Sequence, residues 1–308
     1  MISIIYVYYN SADVIFDSIN SILVSKAKVE YEIIITINKC TDINLKELKR
    51  LSERITIIEN EDNFGFGKAN NVGAKYSRGK YLLILNPDTL LREGVLDKMY
   101  QVMEADNDIG GSICKLVDSD NRIQETVIRK NLNFTFLLIQ LYFLYKIPIL
   151  NKVLIDKYYY SEEEFFEEQS PDVISGAFMF LRKEIFMQVN GFDEEYFMYV
   201  EDIDLSKRMK EISKLFYFPN ATVVHIGDTT LGSKSLTEKL RMNYTSLFYF
   251  INKFYGRKRL ILFKLLLFIN GLLFFPFSIF IKKENIKMLI SKRSKLFLNV
   301  FDKGFYNA

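Results

Sequence analysis

The chain has 308 residues, 49% of them hydrophobic and 15% aromatic: enough to bury one substantial core with an appendage, and too apolar for a disordered polymer. Its formal net charge of +3 hides an asymmetry, because residues 239–308 carry 14 Lys and Arg against two acids, Glu284 and Asp302, leaving 27 basic and 36 acidic residues before them. Two cysteines, Cys40 and Cys114, allow one bridge at most and exclude a cysteine metal cluster; they read as free thiols of a reducing compartment.

The run Met1-Ile2-Ser3-Ile4-Ile5-Tyr6-Val7-Tyr8-Tyr9-Asn10 lacks the basic start and small-residue cleavage site of a signal peptide, so it is expected to be a buried strand of a cytoplasmic domain. Ser3–Tyr9, Tyr31–Ile37, Ile55–Glu59 and Tyr81–Leu85 are rich in β-branched and aromatic residues and predict buried strands of a parallel sheet. Helical patterns over Ala12–Val24, Asn44–Glu53 and Gly67–Ser77 alternate with them, which predicts a doubly wound α/β domain. Such sheets bind ligands at the carboxyl ends of their strands. Asn10, Asn38, Asn60 and Asn86–Asp88 all follow predicted strands and should converge there.

Leu132–Tyr160 is apolar and aromatic, and Glu162–Glu168 is acidic. This stretch, about residues 132–168, reads as a variable helical insertion: a packed hairpin, or a surface for an acceptor or a membrane. Pro171–Leu181 resumes the apolar pattern. Helices are expected from Lys183 and over Ile203–Ile212, and short strands over Leu215–Phe218 and Ala221–His225. The expected organisation is a domain over 1–240 and a basic, apolar helical region over 241–308. Within the latter, Leu265–Ile281 runs 17 residues without a charge, flanked by Arg257–Arg259, Lys264, Lys282 and Lys283. At about 1.5 Å per residue this is slightly short of a bilayer core, and Pro276 interrupts it. Beyond it, Ile286, Leu289, Ile290, Leu296, Phe297, Val300 and Phe301 recur at helical spacing, with Lys287, Lys292, Arg293 and Lys295 among them. That is a basic amphipathic helix suited to an anionic membrane surface, or else a tail that packs on its own domain or on a second copy in a homo-oligomer. Nucleic acid is a poor partner, since the basic residues interleave with a lipid-like apolar run.

Three constellations carry chemistry. Leu85-Asn86-Pro87-Asp88-Thr89 puts a carboxylate at the exit of an apolar strand, where it could hold Mg²⁺ or Mn²⁺ against a diphosphate, although Asn-Pro-Asp is also good turn chemistry. Glu201, Asp202 and Asp204 crowd the start of a predicted helix. The helix dipole explains one of these acids, and a general base explains another. His225, the single histidine, ends a predicted strand, either as a structural residue or as a metal ligand.

Asn63-Phe64-Gly65-Phe66-Gly67-Lys68-Ala69-Asn70-Asn71-Val72-Gly73 followed by Leu85-Asn86-Pro87-Asp88-Thr89 resembles the family-two GT-A glycosyltransferases, rhamnosyltransferases in particular. Ser175-Gly176-Ala177-Phe178-Met179, Gly191-Phe192-Asp193-Glu194 and Glu201-Asp202-Ile203-Asp204-Leu205 match the same family in the same order, over roughly residues 1–235. The resemblance implies a nucleotide-sugar pocket lined by Tyr9, Asn10, Ser11, Asn38, Asp42, Asn70, Asn86, Asp88 and Gly176. It implies Asp88 and His225 as ligands of a divalent cation, with Asp202 as catalytic base beside Glu201. The implied reaction is a single inverting displacement from a deoxythymidine- or uridine-diphosphate sugar, with rhamnose the leading sugar. The acceptor would be a glycan or lipid-linked glycan at the cytoplasmic face of a bacterial inner membrane, with the enzyme peripheral or monotopic. One departure is plain: relatives often read Asp-Asn-x-Ser-x-Asp in the second loop, where this chain has Ile37-Asn38-Lys39-Cys40-Thr41-Asp42. Ile37 cannot hydrogen-bond a base, and Cys40 stands where a hydroxyl would. Both favour the alternative of a catalytically silent binding or scaffold protein on the same fold, which intact Asp88, Asp202 and His225 oppose.

Overall fold

The computed structural model describes residues 1–40, 45–130, 133–141, 158–227, 235–277, 284–302 and 305. The chain forms two compact units, one from Met1–Asn131, Ile155–Phe197 and Glu201–Gly232, the other from Leu132–Leu154, Met198–Val200 and Ser233–Ala308. In chain order the elements are β1 (Ile2–Tyr8), α1 (Ala12–Val24), β2 (Tyr31–Ile37), α2 (Leu45–Leu51), β3 (Ile55–Glu59), α3 (Gly65–Tyr76), β4 (Tyr81–Leu85), β5 (Thr89–Leu91), α4 (Val95–Ala105), β6 (Ile109–Val117), β7 (Ile128–Arg129) and α5 (Phe134–Leu141). They continue with β8 (Val173–Ile174), β9 (Phe178–Arg182), α6 (Lys183–Gln188), α7 (Glu201–Lys210), β10 (Lys214–His225), α8 (Leu236–Tyr255), α9 (Arg257–Phe277) and α10 (Glu284–Leu298).

The first unit is α/β. Among the described residues its main sheet has eight strands in the order β3-β2-β1-β4-β9-β6-β10-β5. β1 pairs parallel with β2 and β4, β2 with β3, and β6 with β10. β9 runs antiparallel to β4 and β6, and β5 antiparallel to β10. Every residue of β1, β2 and β4 is buried, as expected of central strands covered on both faces. Ile15, Ile19 and Ile22 repeat at helical spacing and give α1 its buried face. The four strands predicted from composition form, β1 one residue earlier than expected. Nothing in the sequence predicts β5 or β6: one is three residues long, and the other carries Gly110-Gly111-Ser112 directly after its first residue, which dilutes its apolar pattern. The two strands expected over 215–218 and 221–225 are a single strand, β10. Its pairing with β6 shifts register between Phe218 and Thr222, where Pro219 has no N–H to offer.

The amino-terminal edge of the sheet is tied by one buried acid. Glu32 accepts hydrogen bonds from Ser3 Oγ (2.7 Å), Arg78 N (2.7 Å) and Arg78 Nε (2.8 Å), and the Arg78 guanidinium pairs with it at 2.7 Å.

The second unit is helical. Ser235 and Glu238 form a reciprocal capping box at the start of α8. Its core is aromatic: Tyr244 meets Phe297 edge-on at 4.9 Å, Phe248 packs on Phe305 at 5.5 Å, and Phe134 of α5 packs on Tyr255 at 5.9 Å. Leu296, Phe297 and Val300, three members of the face expected to meet a membrane, are instead buried inside this unit. The open apolar surface lies on α9, where Ile261, Leu265, Ile269, Leu272 and Leu273 are exposed along one helix. Arg257–Pro276 is long and apolar enough to cross a membrane by length and composition, with a mean hydropathy of 1.8. The middle of the predicted insertion, residues 142–157, and the end of the uncharged run, residues 278–281, lie outside the described residues.

Candidate active site

The polar residues after β1, β2 and β4 meet at one end of the sheet. The Asn38 N–H donates to Tyr8 O at 3.0 Å. Its buried side chain donates to Gly65 O (3.0 Å) and accepts from Asn60 Nδ2 (3.0 Å) and Phe64 N (3.2 Å). Asn38 therefore knits three loops together, with one of its two Nδ2 hydrogens given to Gly65. Gly65 has φ +74°, and a Cβ there would sit 2.0 Å from Phe197 O, so no other residue fits the entry to α3. Tyr9 is half-buried, and Asn10 is exposed with φ 47°. Ser11 and Asn70 are buried; Ser11 Oγ and Asn70 Oδ1 have no hydrogen-bond partner among the described residues, while Asn70 Nδ2 donates to Phe66 O at 3.0 Å. A buried acceptor without a donor is costly unless a ligand supplies one. Asp42 lies outside the described residues.

The second cluster comes from a strand pairing that local sequence does not announce. β5 and β10 pair in a register that sets His225 opposite Thr89, and Ile226 N donates to Asp88 O at 3.0 Å. This brings Asp88 and His225 together, with His225 Nε2 3.5 Å from Asp88 Oδ1 and 3.5 Å from Asn86 Nδ2. Asp88 is almost fully buried, and the His225 side chain is 17% exposed. Gln124 grips the histidine from behind: its Nε2 donates to His225 O (2.7 Å), which turns its Oε1 toward His225 Nδ1 (2.8 Å). An acceptor at Nδ1 fixes the proton there, leaving a lone pair on Nε2 facing Asp88.

That donor set fits a divalent cation. Two ligands each about 2.1 Å from one ion stand about 3–3.5 Å apart at ordinary angles, which matches the Asp88–His225 spacing. Among the described residues no group of three or more His, Cys, Asp or Glu side chains is placed to hold a metal. A protein pair with the remaining positions left to phosphate oxygens and water is the usual arrangement for Mg²⁺ at a diphosphate. Sequence reasoning missed Gln124. It lies beyond β6, where its N–H donates to Leu116 O at 3.0 Å, and no local motif marks it.

The third cluster heads α7, directly after Tyr199 and Val200, whose φ values of 68° and 70° are strained for non-glycine residues. Asp202 is half-buried; its Oδ2 accepts from Gly176 N (3.1 Å) and its Oδ1 from Ile203 N (2.9 Å). Gly176 is packed so closely that a Cβ would lie 3.2 Å from the Phe66 ring and 3.6 Å from Asp202 Cβ. Glu201 is buried, and its Oε2 has no partner among the described residues. Burial first, then the neighbouring Asp202 charge, pushes the Glu201 carboxyl up to about 8. Asp204 is structural: it bonds Arg208 Nε at 2.5 Å and accepts from Tyr196 Oη at 3.2 Å. The three acids thus divide into a buried proton holder, a half-exposed carboxylate and an ion pair.

One segment joins the second and third clusters. Asn86 N donates to Ala177 O at 3.1 Å, and the preceding residue, Gly176, donates to Asp202. The Asp88–His225 pair and Asp202 therefore flank the same two peptide units.

Known proteins bear on this arrangement. The sequence profile of glycosyl transferase family 2 matches residues 3–189. The rhamnosyltransferase WbbL of Escherichia coli is 29% identical over 170 residues, 53% of this chain and 61% of that protein. The N-acetylglucosaminyl-diphospho-decaprenol L-rhamnosyltransferase of Mycobacterium tuberculosis is 47% identical over 53 residues, 17% of each chain. The matches thus span about three-fifths or less of these relatives. Among solved structures, GalNAc-T7 with UDP, GalNAc and Mn²⁺ superposes with a TM-score of 0.56 at 15% identity, covering 78% of this chain and 48% of that one. The mannosyltransferase of Pyrobaculum calidifontis with GDP-Man and Mn²⁺ gives 0.54 at 14% identity, covering 80% and 61%. The α/β unit has the GT-A fold, and with the family profile covering more than half of its length, the chain belongs to glycosyl transferase family 2.

Proposed function

We propose that the chain is an inverting glycosyltransferase that moves a sugar from a nucleotide-diphosphate donor to a hydroxyl of a lipid-linked or growing polysaccharide. The observation that carries this reading is the convergence of Asp88, His225 and Asp202 on either side of Gly176–Ala177. Ser11 Oγ and Asn70 Oδ1, buried without donors of their own among the described residues, are assigned to the nucleotide. Asp88 and His225 would hold Mg²⁺ or Mn²⁺; when bound, the ion offsets the charge that develops on the diphosphate leaving group. Asp202 takes the proton of the acceptor hydroxyl as it attacks the face opposite the leaving group, which inverts the anomeric carbon without a covalent intermediate. The Gly176 and Ile203 N–H groups hold its carboxylate in one orientation. Glu201, kept neutral by burial, spares Asp202 a second negative charge alongside.

Rhamnose is the leading sugar, supported by the two rhamnosyltransferases among the relatives. The name of the mycobacterial relative also supports an acceptor sugar carried on a diphospho-polyprenol. We assign residues 1–240 to the transferase domain and 241–308 to a region that sits at the cytoplasmic face of a membrane through the exposed stripe of α9. A panel of nucleotide-sugars with Mg²⁺ or Mn²⁺ tests the donor: the matching sugar should raise the melting temperature in a metal-dependent way and release nucleoside diphosphate with a suitable acceptor. Stabilisation without turnover on any acceptor would favour the silent binding protein, and no response to any donor would overturn both readings.

A further inference from the structure

The helical unit holds a cavity of about 350 Å³ between the first turns of α8 and the end of α10. That is the lower end of the range for small-molecule sites, about 300–1,000 Å³. Arg241, Lys292 and Lys295 line it, with Asp302 as its single acid among the described residues. Two positive charges remain even if Asp302 cancels the third. Thr237 and Asn299 add a hydroxyl and an amide, while Leu296 and Phe305 give it an apolar part. Arg241 Nε is buried and has no acceptor among the described residues. A guanidinium left in that state is suited to the forked hydrogen bonding that phosphate oxygens accept. The same unit carries the exposed apolar stripe Ile261, Leu265, Ile269, Leu272 and Leu273 on α9.

We infer that this cavity is a binding site for the phosphate of a lipid headgroup. A phosphate or diphosphate ester sits between Arg241, Lys292 and Lys295, with its hydroxyl or ester oxygens on Thr237 and Asn299 and the first carbons of its lipid on Leu296 and Phe305. Diffuse attraction of a basic surface to an anionic membrane needs no cavity, no buried Arg Nε and no apolar wall; a headgroup site uses all three. The inference deepens the membrane assignment made above and rests on it, but it does not depend on the donor sugar or on Asp202.

Calorimetric titration of the full chain with three soluble probes separates the sources of phosphate: dihexanoyl phosphatidic acid, inorganic pyrophosphate and dihexanoyl phosphatidylcholine. The phosphatidic acid should bind, and bind about tenfold or more tighter than either other probe. Arg241→Gln and Lys295→Gln should each weaken it about fivefold or more, the loss expected for one cation near a phosphate. Lys295 is exposed, so its variant tests the site without threatening the fold. The charge-matched controls Lys253→Gln and Lys258→Gln, outside the cavity, should leave that affinity unchanged. Equal binding of pyrophosphate would make this a general anion site and overturn the lipid assignment. Equal losses in the controls, or no binding of phosphatidic acid, would overturn the site itself. Sedimentation of the wild type with phosphatidylglycerol vesicles, read in parallel, reports whether the membrane assignment survives in either case.

Discussion

Replacing Glu201 by Gln should stabilise the folded protein by an amount that grows with pH. The Glu201 carboxyl titrates near 4.5 when exposed and is pushed up to about 8 in the fold, by burial first and then by the charge of Asp202. Between those values the folded state keeps a proton that the unfolded state has released. The wild type is therefore progressively penalised as pH rises through this window, and the penalty levels off above the folded value. A tenfold change in proton affinity is worth about 1.4 kcal/mol, so a rise from 4.5 to about 8 sets a ceiling of roughly 5 kcal/mol. The amino-terminal dipole of α7 favours the charge by about 0.3–1 kcal/mol, and relaxation on ionisation takes more, so we expect a change of about 2–4 kcal/mol between pH 5 and 9. Gln carries the same shape without a charge, which isolates this effect. Urea unfolding of both proteins across that range gives the difference directly. A difference that stays flat from pH 5 to 8 would mean that Glu201 ionises as an exposed carboxylate does, and the account of a proton held beside Asp202 would fail. Transfer activity of the same variant should be largely retained at neutral pH, because Gln mimics the protonated acid. A loss as deep as that of an Asp202 variant would make Glu201 the base instead.

Asp202→Asn should lower kcat by about 10²–10⁴-fold, the usual cost of losing a general base, while donor binding measured by thermal shift stays near wild type. Gln124→Ala removes the acceptor that fixes the His225 tautomer, so the Mn²⁺ concentration needed for half-maximal donor-dependent stabilisation should rise about 10–100-fold without loss of fold. Glu32→Gln leaves the Arg78 side-chain donors facing an amide nitrogen at the sheet edge; the Arg78 side chain is largely exposed and can turn to water, so the change should cost about 1–2 kcal/mol in urea unfolding. Burial works to raise the Glu32 carboxyl, but bonds from Ser3 and Arg78 outweigh it and hold it below 4.5. Its stabilisation is therefore present above 4.5 and lost as pH falls through the folded value, so wild type and variant should converge in acid.

The sequence makes the left half of the sheet readable because β1, β2 and β4 are buried on both faces and so are apolar along their whole length. The right half is built differently. β5 has three residues, and Gly110 and Gly111 dilute the start of β6, so no local period reports them; β9 falls in the apolar run over 171–181, but its antiparallel place between β4 and β6 is set by distant pairing. The strand that joins the proposed metal pair is the least visible one. Only the pairing of β5 with β10 brings Asp88 and His225 together across 137 positions of sequence. The motif residues could be named from their types, but their division of labour could not. Asp204 looks like a third active-site acid until Arg208 and Tyr196 are seen to occupy it. Asn38 looks like a residue with only a ligand to meet until its amide is found bonded to Gly65, Asn60 and Phe64 as well. Leu296, Phe297 and Val300 look like a membrane face because an amphipathic period reports only that one side is apolar, and an adjacent helix satisfies it as well as a bilayer does. In each case the side chain's character was legible, and its partner, set by contacts distant in sequence, decided its role. Gln124 shows the same rule from the other direction. An ordinary amide in a short stretch of coil becomes the residue that holds His225 Nδ1 and leaves Nε2 for the proposed cation, because the end of β6 lays it against the end of β10.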